Sequence, residues 1–201
     1  GKEMPHDQIH PLRFDRPEIG REKGAAGGRP GDDLVTGEII DHGVILATPT
    51  TLIGVESKRY EPFRPAKATG FSEVYDRPVW GPNMGRYTRL MHDLVAGTVV
   101  FQSLDAVQLV KHALGLRTRA EKRGLGAVLV YLYAEPSHWA GSGKPLDKAR
   151  IALHRREVAQ FAGSVRGDQV AFAPVTWADL VAQWARTPAL APHAAALTDR
   201  F

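Results

Sequence analysis

Apolar positions along the chain change their period several times, and the changes predict an alternating succession of strands and helices. Residues 34–47 are dense in Val, Ile and Leu, the segment Thr48-Pro49-Thr50-Thr51 supplies turn chemistry, and a second apolar run continues to Tyr60. These two runs predict a β-hairpin. Helical spacing follows over 85–95 and again over 104–116, where Leu104, Val107, Val110, Ala113 and Leu114 form one stripe. Ser103 is the expected N-cap of the second helix, and Gly115 the expected point of closure. The unbroken apolar run 127–133 predicts a buried strand. A helix over 148–162, a strand near 170–172 and a helix from Thr176, with Asp179 completing a capping box, finish the pattern. There is no internal repeat and no heptad array.

Two stretches lack either period. Residues 1–33 hold many breakers, among them Gly24-Ala25-Ala26-Gly27-Gly28-Arg29-Pro30-Gly31, and read as a flexible N-terminal arm or loop. Residues 34–201 are then expected to form a single domain, a length that buries a core without disulfides. Residues 61–84 combine Pro and Gly with Phe63, Phe71, Tyr75 and Trp80, which predicts a long functional or mobile loop.

Composition narrows the class more than the function. With 43% hydrophobic and 24% charged residues the chain has the balance of a soluble globular protein. No apolar run reaches the roughly 20 residues of a spanning helix, so no membrane partner is expected. No basic segment is followed by a hydrophobic one and there are no cysteines, which sets a cytoplasmic, bacterial-type location as the expectation. A net charge of +4, carried more by Arg than by Lys, is mildly favourable to phosphate contacts.

The most specific chemistry lies in the hairpin. Glu56 and Lys58 alternate onto one face of a strand. A four-residue connection over 48–51 pairs position 47 with 52 and, carried back, sets Asp41 opposite Lys58 on that same face. An odd-length connection would reverse the assignment. Two carboxylates, Asp41 and Glu56, are the hard oxygen ligands that Mg²⁺ or Mn²⁺ takes while keeping positions for water and phosphate. Lys58 would orient the attacking water and stabilise negative charge. Glu-x-Lys alone is common on solvated surfaces. A phased Asp at the end of an apolar hairpin makes the trio more specific, since charged groups seldom sit there without partners.

This pattern resembles the PD-(D/E)xK nuclease superfamily, in which an Asp at the start of one strand and Glu-x-Lys on the next form the metal site. The blocks Gly54-Val55-Glu56-Ser57-Lys58, Tyr60-Glu61-Pro62-Phe63, 104–116 and Leu132-Tyr133-Ala134-Glu135-Pro136 are similar to a bacterial family of restriction endonuclease-like proteins within it. The resemblance spans about residues 38–184. It implies an α/β fold, a restriction-endonuclease-like mixed β-sheet core flanked by helices, and Mg²⁺-dependent cleavage of nucleic acid, DNA foremost. A homodimer is the arrangement many members use to cut both strands. A shifted alignment places the family Asp at Gly43, on the same face as position 41, which would leave the site broken. The rival function is therefore a catalytically silent module on this fold that binds nucleic acid or a partner.

Other polar positions carry weaker signals. Gln108 and Lys111 are candidate accessory residues on the second helix, and Gln108 shares a side with His112 at i, i+4. Related nucleases use a Gln on a following helix in this way, although a polar helix edge explains these residues equally well. His154 and Glu157 at i, i+3 lack a third ligand and read as an exposed helical pair. Tyr75, Arg77 and Trp80 are expected to anchor their loop, with base stacking as the alternative. Gly141-Ser142-Gly143-Lys144 fails as a phosphate loop, because position 138 is His and Pro145 follows the Lys.

Overall fold

In the computed structural model the described residues are 36–40, by backbone pairing, and 43–64 and 70–198 with their side chains. The predicted arm at 1–33 and the candidate ligand Asp41 lie outside them. Five strands form one mixed sheet in the order β1-β2-β3-β4-β5, with helices packed against it, so the expected mixed α/β architecture is present.

The single strand expected over 34–47 is two strands. Thr36–Ile40 (β1) and Gly43–Ala47 (β2) pair antiparallel with Ile40 opposite Gly43. The sequence between them, Asp41-His42, runs into Gly43, and Asp and Gly favour tight hairpin connections over strand interiors. β2 then pairs with Thr51–Lys58 (β3), Ala47 opposite Leu52 and Gly43 opposite Glu56, which is the register the four-residue connection predicts. The pairing ends there, and no described β2 residue lies opposite Lys58. Gly126–Tyr133 (β4) and Val170–Thr176 (β5) extend the sheet in parallel, with Glu56 level with Tyr131 and Lys58 level with Tyr133.

Parallel strands need crossovers, and β3 to β4 and β4 to β5 step the same way across the sheet. Crossovers of the usual right hand put both connecting helices on the same face. Ala106–Arg123 (α2) and Lys148–Val165 (α3) do lie there: Leu116 sits over Gly54, and Phe161 meets Phe172 at 4.7 Å. Leu52, Gly54 and Glu56 of β3, with Leu129 and Tyr131 of β4, form the buried floor beneath them. Gly85–Val95 (α1) packs on α2 and α3 through Tyr87, Leu90 and Met91. Trp177–Ala185 (α4) and Ala191–Thr198 (α5) close the described chain, and α5 has no counterpart in the sequence reading. Among the described residues, no helix is long and apolar enough to cross a membrane.

α2 differs from expectation at both ends. Asp105, not Ser103, caps it by accepting from the Gln108 amide at 2.9 Å, and the helix runs through Gly115 to a left-handed Gly124. Leu116 and Ala120 continue the buried stripe past Gly115, so packing outweighs the roughly 1 kcal/mol that a helical glycine costs. At α4 the expected cap is partial: Thr176 accepts from the Asp179 amide, but the Asp179 carboxylate accepts from the Thr176 hydroxyl instead of reaching the Thr176 amide.

His154 and Glu157 are buried, not exposed, because α3 turns that edge inward. Glu157 accepts from the backbone N–H groups of Gln102, Ser103 and Leu104 at 2.7–2.8 Å, fastening the approach to α2. His154 is packed by Phe63 and Tyr133 and bonds the Tyr131 hydroxyl at 2.9 Å. Burial lowers the His154 pKa to about 4, against the pull of Glu157 and Glu135.

A depressed histidine pKa means that the unfolded chain takes up a proton which the folded chain refuses. Stability is thus full above pH 6.5 and falls as the pH drops from 6.5 towards 4, by about 3 kcal/mol for this group. Urea denaturation at pH 7 and pH 5 should show the loss, and His154→Phe should flatten the slope between them.

Candidate active site

The site is built where β3 ends and α2 begins. Strand alternation sends Glu56 and Lys58 to the helix-covered face. The first turn of α2, fixed by the Asp105 cap, presents Gln108, and one turn later the same side presents His112. Glu56 is 1% exposed. Lys58 Nζ lies 2.7 Å from its Oε1 and His112 Nδ1 lies 3.1 Å from its Oε2. Gln108 completes the set, its Oε1 accepting from Lys58 Nζ at 2.9 Å.

A buried carboxylate needs this company, since an uncompensated charge would be neutralised or the fold lost. Burial pushes the Glu56 pKa up, but His112 and Lys58 outweigh it and hold the group below its ordinary value. Each oxygen faces one nitrogen, and a carboxylate oxygen has a second lone pair, so acceptor capacity remains on both. The carboxylate is charged, fixed and still able to bind a cation or a donor.

Directly across the β2–β3 pair stands Gly43. A Cβ built there would lie 3.9 Å from Glu56 Oε2 and only 2.9 Å from the Val55 carbonyl oxygen. Position 43 thus faces the carboxylate, yet any side chain there would force the two strands apart. The chain leaves β3 through a tight turn in which Glu61 accepts from the Arg59 and Tyr60 amides at 2.8 and 2.9 Å. Burial raises the Glu61 pKa, and these amides, with its own, lower it further than burial raises it.

Of the residues singled out in the sequence, Glu56, Lys58 and Gln108 come together, and Asp41 is outside the described residues. Lys111 does not join them. Its Nζ donates to the Gly70 carbonyl at 2.6 Å and lies over the Phe71 and Tyr75 rings, because its side chain leaves α2 away from Glu56. Tyr75 and Trp80 stack at 5.8 Å, and Trp80 Nε1 donates to the Tyr75 carbonyl, so these aromatics anchor the loop. His112 is the member whose role the sequence reading missed, and its i, i+4 spacing from Gln108 was the signal for it. A pocket of about 200 Å³ opens beside the cluster between β2 and α2, lined by Gly43, Ile45, Gly54, His112 and Gly115 among others.

Compared with protein-family models, with curated proteins and with solved structures, the chain matches none.

The charge balance at Glu56 is open to measurement. In Lys58→Met, burial loses one of its two opponents, and carbon-detected NMR titration should show the Glu56 carboxyl titrating at higher pH than in the wild type. No upward movement would mean that Lys58 is not the counter-ion.

Proposed function

We propose that the chain is a divalent-metal-dependent nuclease that hydrolyses phosphodiester bonds, DNA foremost, with Glu56 and Lys58 at its centre. The observation that carries this reading is the buried Glu56 carboxylate held between Lys58 and His112, with Gln108 of the following helix bonded to the Lys58 amine. The mixed sheet with helices on one face agrees with the fold that the resemblance implies.

The donor set fits a magnesium-type ion, which is held by one or two carboxylates and keeps several waters. Glu56 retains unfilled acceptor capacity for it. Among the described residues there is no cluster of three or more candidate ligands, which leaves Glu56 with waters, or with one further carboxylate, as the holding set. Asp41 is the carboxylate the sequence offers. When bound, Mg²⁺ or Mn²⁺ supplies charge neutralisation at phosphate and a more acidic water. Lys58 Nζ, held by Gln108, is placed to orient a water and to offset negative charge on the phosphate. His112 faces Glu56 through Nδ1 at 3.1 Å and helps to fix the carboxylate.

A second reading has its own support. Gly43, with no side chain, stands opposite Glu56 where a carboxylate could complete the site, which favours a silent nucleic-acid-binding or partner-binding module.

Calorimetry with Mn²⁺, together with cleavage of plasmid and oligonucleotides, separates the two. The nuclease reading expects metal binding that weakens in Glu56→Gln and Asp41→Asn. It also expects cleavage that falls on the order of a hundredfold or more in Lys58→Ala. Cleavage that survives Lys58→Ala removes this site from the account. Absence of both metal binding and cleavage favours the silent module.

A further inference from the structure

The pocket beside Glu56 continues into a second, of about 290 Å³, and the two share Ile45 and Arg119. Together they form a groove along α2. Its floor is apolar, made by Ile45, Leu52 and Leu116, and it is widened where Gly115 leaves the helix surface open. Its rim is cationic, with Arg119, Lys122 and Arg123 exposed on successive turns of α2 and His112 at the end nearest Glu56. Among the described residues that line the two pockets there is no Asp or Glu.

An apolar floor under a row of cations suits a chain of bases with phosphates on one side. At about 200 and 290 Å³ each pocket is smaller than a typical ligand site and leaves no room for a base pair with both backbones. Glu56 is 1% exposed and lines neither pocket, but its partner His112 and the facing Gly43 line the first. The groove therefore runs up to the buried carboxylate, and a narrow single strand suits it better than a duplex.

Resting on the nuclease reading of the Glu56 site, we infer that the groove along α2 is the track for single-stranded nucleic acid, which reaches the site as an unpaired strand or end. The rim of α2 holds the phosphates, and the floor between Ile45 and Gly115 holds the bases. A duplex meets only the outer cations of the rim.

The test uses Glu56→Gln full-length chain, so that binding is read apart from cleavage. Fluorescence anisotropy compares a labelled 12-nucleotide DNA strand, its RNA counterpart and the matching DNA duplex. The track predicts that one or both single strands bind at least about tenfold more tightly than the duplex, with affinity that falls as salt rises. Added to that background, Arg119→Glu/Lys122→Glu should weaken single-strand binding about tenfold or more. Gly115→Trp should do the same by filling the floor while keeping the charge, and it favours the helix by removing a glycine. Duplex binding as tight as single-strand binding, or single-strand affinity untouched by both variants, overturns the inference. Single-strand binding that behaves as expected, in a wild type that never cleaves, keeps the track and removes the nuclease reading instead.

Discussion

A negative charge taken almost wholly out of water governs the arrangement of this protein. Glu56 lies under α2 in the middle of an otherwise apolar face, and an ion in that position is tolerated only if opposite charge is brought to it. Lys58 comes from the same strand at no topological cost. His112 and Gln108 come from a helix about fifty residues further on, so the strand and helix have to dock closely and in one rotational setting. Gly54 permits that docking. A Cβ there would come within 3.2 Å of the Leu116 side chain, and the helix would ride up and draw His112 and Gln108 away from the carboxylate.

The rest of the fold holds α2 in that setting. Asp105 caps its start and Glu157 grips the three amides leading into it. Near its far end the largely buried Arg117 reaches the Val79 carbonyl, Gln169 and Glu121, tying the helix to the loop before α1 and to the turn before β5. Both crossover helices share one face because the strands advance in one direction. α3 is therefore a neighbour of the site through Tyr131 and His154, although it contributes none of the Glu56 contacts.

Much of this was legible in the sequence, for reasons that differ by element. The continuous apolar run of β4 and the turn chemistry before β3 act locally, and local signals survive folding. The register that pairs Ala47 with Leu52 followed from loop length alone. What was misread depends on tertiary context. Gly115 did not stop α2, because buried Leu116 and Ala120 carry the helix past it. His154 and Glu157 looked like a solvated pair because nothing in their spacing tells which side of α3 faces the sheet. The end of β1 at Ile40 and the start of β2 at Gly43 were hidden inside an apolar stretch, and β2 therefore offers no described partner to Lys58. In the site, Glu56, Lys58 and Gln108 were legible as types at fitting positions. Lys111 has the right chemistry, but its head group is taken up by the Gly70 carbonyl and the Phe71 and Tyr75 rings, and His112 was underweighted.

The grip of Glu157 on the chain before α2 has a consequence for how mutational surveys of this protein would be interpreted. Its carboxylate replaces water for three backbone donors at once, and α2 carries His112, which contacts Glu56, and Gln108, which holds Lys58. A substitution at position 157 would release the helix start and, with it, these contacts one to two turns further on. In a screen scored by activity it would be indistinguishable from a residue that touches substrate, although it only holds up the scaffold on which those residues stand.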